Sequence, residues 1–288
     1  MGKSYRFSPD GAEPAGDISG TYAITINGAN GREEKAVGLF HQDGKRLKAT
    51  FLRITGDSRY LEGMVKGNEF HLSGFIGSSP AYYKGSFDKD GRLSGEIVGS
   101  RGSQPFSGVL DETAELPNAY NLTWLKEGYS TLDFSFPDVN GKKVSLSDPK
   151  FDGKVVIIAI TGTWCPNCID EAAFLSPWNK ENKDRGVEVI ALHYERQTDS
   201  AFVRKVLTRF KNRFDITYEQ LIAGPADKNF VASSLPALNT FLAFPTTIIL
   251  DRNKKVVQIH TGYTGPATGQ HFEQFKREFN EQMDGLLK

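Results

Sequence analysis

From Gly20 to about residue 112 the chain alternates apolar and polar positions in short runs, and no helical period interrupts them. Gly20-Thr21-Tyr22-Ala23-Ile24-Thr25-Ile26, Arg46-Leu47-Lys48-Ala49-Thr50-Phe51-Leu52 and Glu69-Phe70-His71-Leu72-Ser73 each place every second side chain on one face. Between such runs stand Asn27-Gly28, Asp43-Gly44, Gly67-Asn68 and Asp90-Gly91, dipeptides that favour tight hairpin turns. The spacing predicts about eight antiparallel strands over residues 18–112, closed as a barrel or stacked as a sandwich. The aromatic residues Tyr60, Phe70, Phe75, Tyr82, Tyr83 and Phe87 fit the core of such a fold or the mouth of a ligand site. A polar lead over 1–17, expected to be flexible, precedes this domain, and 113–131 reads as a connector.

The pattern changes over 132–288. Lys154-Val155-Val156-Ile157-Ile158-Ala159-Ile160 is an almost unbroken β-branched run, as in a central parallel strand buried on both faces. Val187 to Tyr194 repeats that signature. Ser200 to Phe214 carries Phe202, Val203, Val206, Leu207 and Phe210 at helical spacing, and 227–235 reads as a short helix. A hairpin over 248–260, turning at Asp251 to Lys254, and a closing helix over 270–287 with Phe272, Phe275, Phe279 and Met283 inward complete an α/β domain. Gly262 to Gly269 is rich in glycine but lacks the lysine and strand-to-helix setting of a nucleotide loop, so it reads as the turn into that last helix.

The chemistry gathers where the first buried strand ends. Trp164-Cys165-Pro166-Asn167-Cys168 contains the only two cysteines of 288 residues. A structural zinc site needs four ligands and a disulfide scaffold spreads its cysteines, so one close pair is best read as a redox dithiol. Pro166 suits a first helical position, which makes Cys165 the N-cap, with unpaired backbone N–H groups directed at its sulfur. These favour thiolate over thiol and designate Cys165 as nucleophile, with Cys168 one turn later as the resolving thiol.

Residues 132–288 resemble the TlpA- or ResA-like thioredoxin-fold thiol–disulfide oxidoreductases of the bacterial cell envelope. The likeness rests on Phe134-Ser135-Phe136-Pro137-Asp138, Gly153-Lys154-Val155-Val156, Gly162-Thr163-Trp164-Cys165-Pro166-Asn167-Cys168 and Phe244-Pro245-Thr246-Thr247-Ile248-Ile249-Leu250-Asp251, in the family's order. The resemblance implies a cis Phe244–Pro245 bond facing the dithiol. It also implies that Trp164, Pro166, Asn167, Phe244, Pro245 and Thr246 meet the substrate, the backbone of Phe244 pairing with an extended segment. Ala159 stands where thioredoxins proper keep a buried acid. Like this branch, the chain instead has Glu171 three residues after the second cysteine, on the same helix face as Cys168. A buried carboxyl there would hold a raised pKa and accept the proton of Cys168; the bland reading is a solvated acid of the first turns. Where many relatives carry a helix-kinking proline this chain has Ala173, so the helix is expected to run straighter or to break later, near Pro177.

The resemblance implies a disulfide reductase acting on client proteins, with a disulfide or dithiol as substrate and a membrane electron donor for re-reduction. No organic cofactor is needed, because the sulfur pair carries the electrons. Oxidase or isomerase action, and a redox-sensing binding module whose β domain holds a ligand, stay open on the residues alone. Thirty-five basic and 35 acidic residues leave no net field for nucleic acid. Haem attachment would need histidine where Ile169 stands, and the five histidines are scattered, against a metal site. No apolar stretch is long enough to cross a bilayer. The polar start suits a chain lying just after a removed export signal, a cytosolic start staying open, and the family resemblance implies the periplasm or a membrane-attached envelope location.

Overall fold

A computed structural model of the chain describes residues 7–8, 10–28, 31–76, 79–99 and 102–288. The chain divides near Leu116 into two compact units.

The first unit holds β1 (Gly20–Asn27), β2 (Glu33–Asp43), β3 (Arg46–Arg53), β4 (Gly56–Asp57), β5 (Leu61–Lys66), β6 (Glu69–Ile76), β7 (Ser79–Phe87), β8 (Leu93–Gly99) and β9 (Gly102–Leu110). They hydrogen-bond in the order β2-β1-β9-β8-β7-β6-β5-β3-β4, and β2 also pairs with β3. That extra ladder joins the ends, so eight antiparallel strands form a closed barrel with no long free edge, and β4 is a two-residue appendage. Closure demands sharply bent strands, and glycine marks the tight crossings. A Cβ on Gly63 would lie 1.6 Å from the His71 carbonyl oxygen.

Phe51 fills the interior against Phe40 and Phe106, with ring centroids 5.6 and 5.4 Å away. Phe70, Tyr83 and Phe87 are also core, whereas Tyr60 and Phe75 are 63% and 71% exposed. Tyr82 is half-buried and hydrogen-bonded to His71 Nδ1 at 2.6 Å. The six aromatics therefore do not line one common mouth. The lead departs from the flexible segment expected over 1–17. Residues 1–6 and 9 lie outside the described residues, but Ala15 N–H donates to Gly67 O at 2.7 Å and Gly67 N–H to Glu13 O at 3.2 Å.

The second unit adds a small hairpin, β10 (Ser135–Pro137) and β11 (Lys143–Ser145), to a five-stranded sheet. Its strands are β12 (Val155–Thr161), β13 (Val187–Glu195), β14 (Glu219–Pro225), β15 (Thr246–Leu250) and β16 (Val256–Thr261), in the order β14-β13-β12-β15-β16. The first three are parallel; β15 runs against β12, and β16 runs against β15, so β16 points the same way as the first three. Every residue of the central β12 is buried. Val156, Ile158 and Ile160 enter the core on one face, and Val155, Ile157 and Ala159 the core on the other. This two-sided burial is why the run lacks polar alternation.

Four helices complete the unit: α1 (Pro166–Asn182), α2 (Ser200–Phe214), α3 (Lys228–Ser234) and α4 (Gln270–Leu286). In α2 the inward side chains are Val203, Leu207 and Phe210, while Phe202 is exposed, contrary to the sequence expectation. In α4 Phe279 and Met283 are buried and Phe272 and Phe275 half-buried. The sequence pattern did not announce β14, whose seven residues end in Gly224-Pro225. Helix α1 continues through Pro177 without a break; Ala173, whose carbonyl loses its N–H partner to that proline, is exposed to water.

The expected connector 113–131 also differs, because from Pro117 onward it belongs to the second unit. Trp124 N–H donates to Asn239 Oδ1 at 2.9 Å, Lys126 N–H to Ala237 O at 2.8 Å, and Val256 N–H to Ser130 O at 2.8 Å. A segment with no hydrophobic period is held by its backbone groups, which leave no trace in side-chain pattern.

Candidate active site

Strand β12 ends at Thr161, and three residues later the chain turns into α1. Gly162 is required in this turn, since a Cβ there would lie 2.5 Å from Trp164 Nε1 and 2.7 Å from Tyr194 O. Cys165 is the N-cap of α1 and Pro166 its first residue. The Cys168 N–H donates to Cys165 Sγ at 3.3 Å, so one orphan amide of the helix start is spent on the sulfur. Both cysteines are free thiols. Cys165 is 4% exposed and Cys168 fully buried, which orders them as outer and inner sulfur.

Beyond the dithiol lies the turn into β15. The Phe244–Pro245 bond is cis, and the Phe244 carbonyl accepts from Cys165 Sγ at 3.5 Å. Gly262 N–H donates to Pro245 O at 2.9 Å, tying the glycine-rich turn after β16 to the same place. Trp164 packs edge-on against Phe244 with centroids 5.3 Å apart. Pro166 and Asn167 are half-buried at the helix start. Thr246 is different: its side chain is fully buried and its hydroxyl donates to Ala243 O at 2.8 Å, whereas the Phe244 carbonyl two residues earlier meets the sulfur. Any substrate contact of Thr246 would therefore be made through its backbone, because the side chain of this first residue of β15 points into the core.

Glu171 is buried, not solvated, and accepts a hydrogen bond from the Thr247 hydroxyl of β15. Burial pushes its carboxyl up to about 8, against the pull of that hydrogen bond. Burial also drives the Cys168 thiol well above its ordinary value; the neighbouring Cys165 sulfur and the Glu171 carboxyl push the same way, and the Thr161 hydroxyl opposes them. The inner thiol and the acid thus share a water-poor chamber in which neither readily holds charge. Glu171 also borders a small enclosed cavity with Tyr120, His260 and Gln282. Burial lowers the His260 imidazole to about 4 and raises the Tyr120 phenol to about 12, so both are neutral at pH 7.

Sequence reasoning missed the group that holds the nucleophile's turn. Glu195, the last residue of β13, is buried and accepts from both the Thr163 N–H and the Thr163 hydroxyl at 2.8 Å. Tyr194 O accepts from Trp164 Nε1 at 2.9 Å, and the Arg196 guanidinium stands 4.3 Å from the Trp164 ring centre. Three consecutive residues at the end of one strand thereby grip the two residues before Cys165. The available signal was an acid closing a buried apolar strand at the carboxyl edge of a parallel sheet. His193, two residues earlier, is wholly buried with Nδ1 3.7 Å from Glu195 Oε1.

Residues 126–274, more than half of the chain, match the family model described as Redoxin. The chain belongs to the Redoxin family. Among its relatives, the thioredoxin-like protein YneN of Bacillus subtilis (strain 168) is 30% identical over 138 residues, 48% of this chain and 73% of that protein. The thiol-disulfide oxidoreductase ResA of Bacillus thuringiensis subsp. konkukian (strain 97-27) is 30% identical over 131 residues, 46% of this chain and 67% of that protein. A crystal structure of a putative thiol:disulfide interchange protein DsbE from Chlorobium tepidum aligns with 57% of this chain and 100% of its own, at 22% identity and a TM-score of 0.41. This Redoxin member is thus a ResA-like, thioredoxin-fold thiol–disulfide oxidoreductase, preceded by an antiparallel β-barrel.

Proposed function

We propose that the protein works as a disulfide reductase on client proteins of the cell envelope. The observation that carries this direction is the state of Cys168. A dithiol becomes an oxidant when its reduced form is stabilised as thiolate, as happens in strongly oxidising members of the fold. Here the inner sulfur is fully buried beside a buried carboxyl, and both neighbours raise its pKa. An inner sulfur kept as thiol adds no thiolate stabilisation of its own to the reduced form, which favours giving up electrons.

In the proposed cycle, Cys165 thiolate attacks one sulfur of the client disulfide. An S–S bond forms to Cys165, the client S–S bond breaks, and the leaving client thiolate takes a proton from water. Ionised Glu171 then accepts the Cys168 proton, and the Cys168 sulfur attacks Cys165 Sγ. The Cys165–Cys168 S–S bond forms, the Cys165–client S–S bond breaks, and the second client sulfur leaves as a thiolate that takes a proton from water, so the client departs as a dithiol carrying two electrons. Phe244 and Pro245 flank the sulfur where an extended client segment would lie in the mixed disulfide. The cavity shared with Tyr120 and His260 offers Glu171 a place to exchange its proton. No organic cofactor takes part. The dithiol is recharged by a membrane electron donor, and the protein acts in the periplasm or attached to the envelope membrane.

The test is the equilibrium reduction potential of Cys165–Cys168 in graded thiol buffers, read by alkylation. A value of about −230 mV or lower supports the reductase; one near about −120 mV makes the protein an oxidant.

A further inference from the structure

The dithiol has a basic neighbour that the exchange chemistry does not use. Helix α2 carries Arg204, Lys205, Arg209, Lys211 and Arg213 and no acidic residue, in a chain whose charges balance only over its whole length. Arg209 and Arg213, one turn apart and both exposed, border a groove of about 210 Å³. Its remaining lining is Thr163, Ile169, Val206, Phe210 and Phe214, with no carboxylate among them.

Two lining residues of the groove flank the reacting pair. Thr163 stands two residues before Cys165, and Ile169 donates its N–H to Cys165 O at 3.1 Å. A third positive charge, Arg196, lies on the ring of Trp164, the residue next to the nucleophile. Among the described residues no salt bridge engages Arg196, Arg209 or Arg213. The acids at the two ends of α2 are otherwise occupied: Asp199 caps the Phe202 N–H at 2.8 Å, and Asp215 pairs with Lys180 at 2.6 Å.

Resting on the thiol–disulfide exchange reading above, we propose that this groove receives an acidic stretch of the client, carried next to its disulfide. The apolar floor of Ile169, Val206, Phe210 and Phe214 takes hydrophobic side chains of that stretch, and Arg209 and Arg213 take its carboxylates, a fork geometry that arginine suits. An occupant lying against both flanks of the Cys-Pro-Asn-Cys motif is covalently continuous with the disulfide under attack. The client's own chain therefore fits better than a free anion. Exposed charge complementarity acts mainly on the association step and weakens with salt.

The experiment compares kcat/KM of the full chain on three synthetic peptides that share one disulfide loop flanked by glutamates, glutamines or lysines. Bis(2-hydroxyethyl) disulfide is the small neutral probe. At low ionic strength the glutamate-flanked peptide is expected to react about tenfold faster than the glutamine-flanked one, with the lysine-flanked peptide slowest. That ranking should collapse at about 1 M salt. The double variant Arg209→Glu, Arg213→Glu should invert the ranking in favour of lysine, a gain that a damaged fold cannot produce. Lys211→Glu, the same charge change on α2 outside the groove, should keep it. Equal rates on all three peptides, or a ranking that survives the double variant, overturns the proposal. Failure to reduce any of the four disulfides, the small probe included, removes the exchange reading and the groove with it.

Discussion

Replacing Glu171 by Gln separates the energetics of the buried acid from its shape. The amide is nearly isosteric and still accepts the hydrogen bond donated by Thr247, so packing around α1 and β15 is preserved. What disappears is the ionisation. The folded protein holds the Glu171 proton up to about 8, whereas the unfolded chain releases it near 4.5. Between those values the folded state binds more protons, so wild-type stability falls as pH rises through that window. At 1.36 kcal/mol per pKa unit, the full effect above pH 8 is about 5 kcal/mol; below pH 4.5 it vanishes. The Gln variant lacks this term and should gain on wild type steadily from pH 4.5 to 8.5.

Urea unfolding under reducing conditions measures the difference. Trp124, Trp164 and Trp178 are the three tryptophans of the chain and all lie in the second unit, so their fluorescence follows that unit alone. A stability difference that stays within about 1 kcal/mol from pH 5 to 8.5 would refute the claim that burial raises this carboxyl. The kinetic counterpart is resolution of the mixed disulfide. One pH unit below its pKa only about a tenth of Glu171 is ionised, so the wild-type rate should climb from pH 6 to 8. In Glu171→Gln it should be slower by about a hundredfold or more and lose that climb.

Cys168→Ser should accumulate a mixed disulfide with client on non-reducing gels and Cys165→Ser should not; equal trapping by both would reverse the assignment of nucleophile. Glu195→Ala removes two charge-assisted hydrogen bonds to Thr163 and should cost about 3 kcal/mol in denaturant unfolding, with a drop in turnover that Glu195→Gln largely restores. A Gln variant as impaired as Ala would mean that the carboxylate charge, not the anchoring of the turn, is what matters. His260, lowered to about 4 from 6.5, stays neutral in the fold while the unfolded chain takes up a proton below 6.5. The stability this gives is present above pH 6.5 and lost as pH falls through 4, by about 3 kcal/mol. His260→Gln should flatten the acid limb of the tryptophan-detected stability curve, and an unchanged limb would show that another group controls it.

Much of this molecule was legible before folding because its periods are strong. Two-residue alternation with glycine turns announced the antiparallel unit, and the unbroken run at β12 announced a strand covered on both faces. Ser200 to Phe214 emerged with the bounds that its periodicity indicates. The cysteine spacing located the reacting pair, since sulfurs three apart at a helix start can only serve each other. Local signals of this kind depend on neighbours within a turn or a strand, which is what a sequence records directly.

Everything that required two distant segments to meet came from tertiary structure. The choice between barrel and sandwich was decided by pairing of β1 with β9, the first strand with the last, a closure that no single strand encodes. Residues 117–131 joined the second unit through backbone hydrogen bonds that side-chain pattern does not show. Glu195 looked like the end of an apolar strand until the fold brought it to Thr163, 32 residues earlier. Glu171 was visible as an acid three residues from Cys168, but its raised pKa comes from burial beneath β15, 76 residues away at Thr247. Sequence alone determined which atoms can do the chemistry; the packing of remote segments determined how much water reaches them, and hence which of them hold a proton at pH 7.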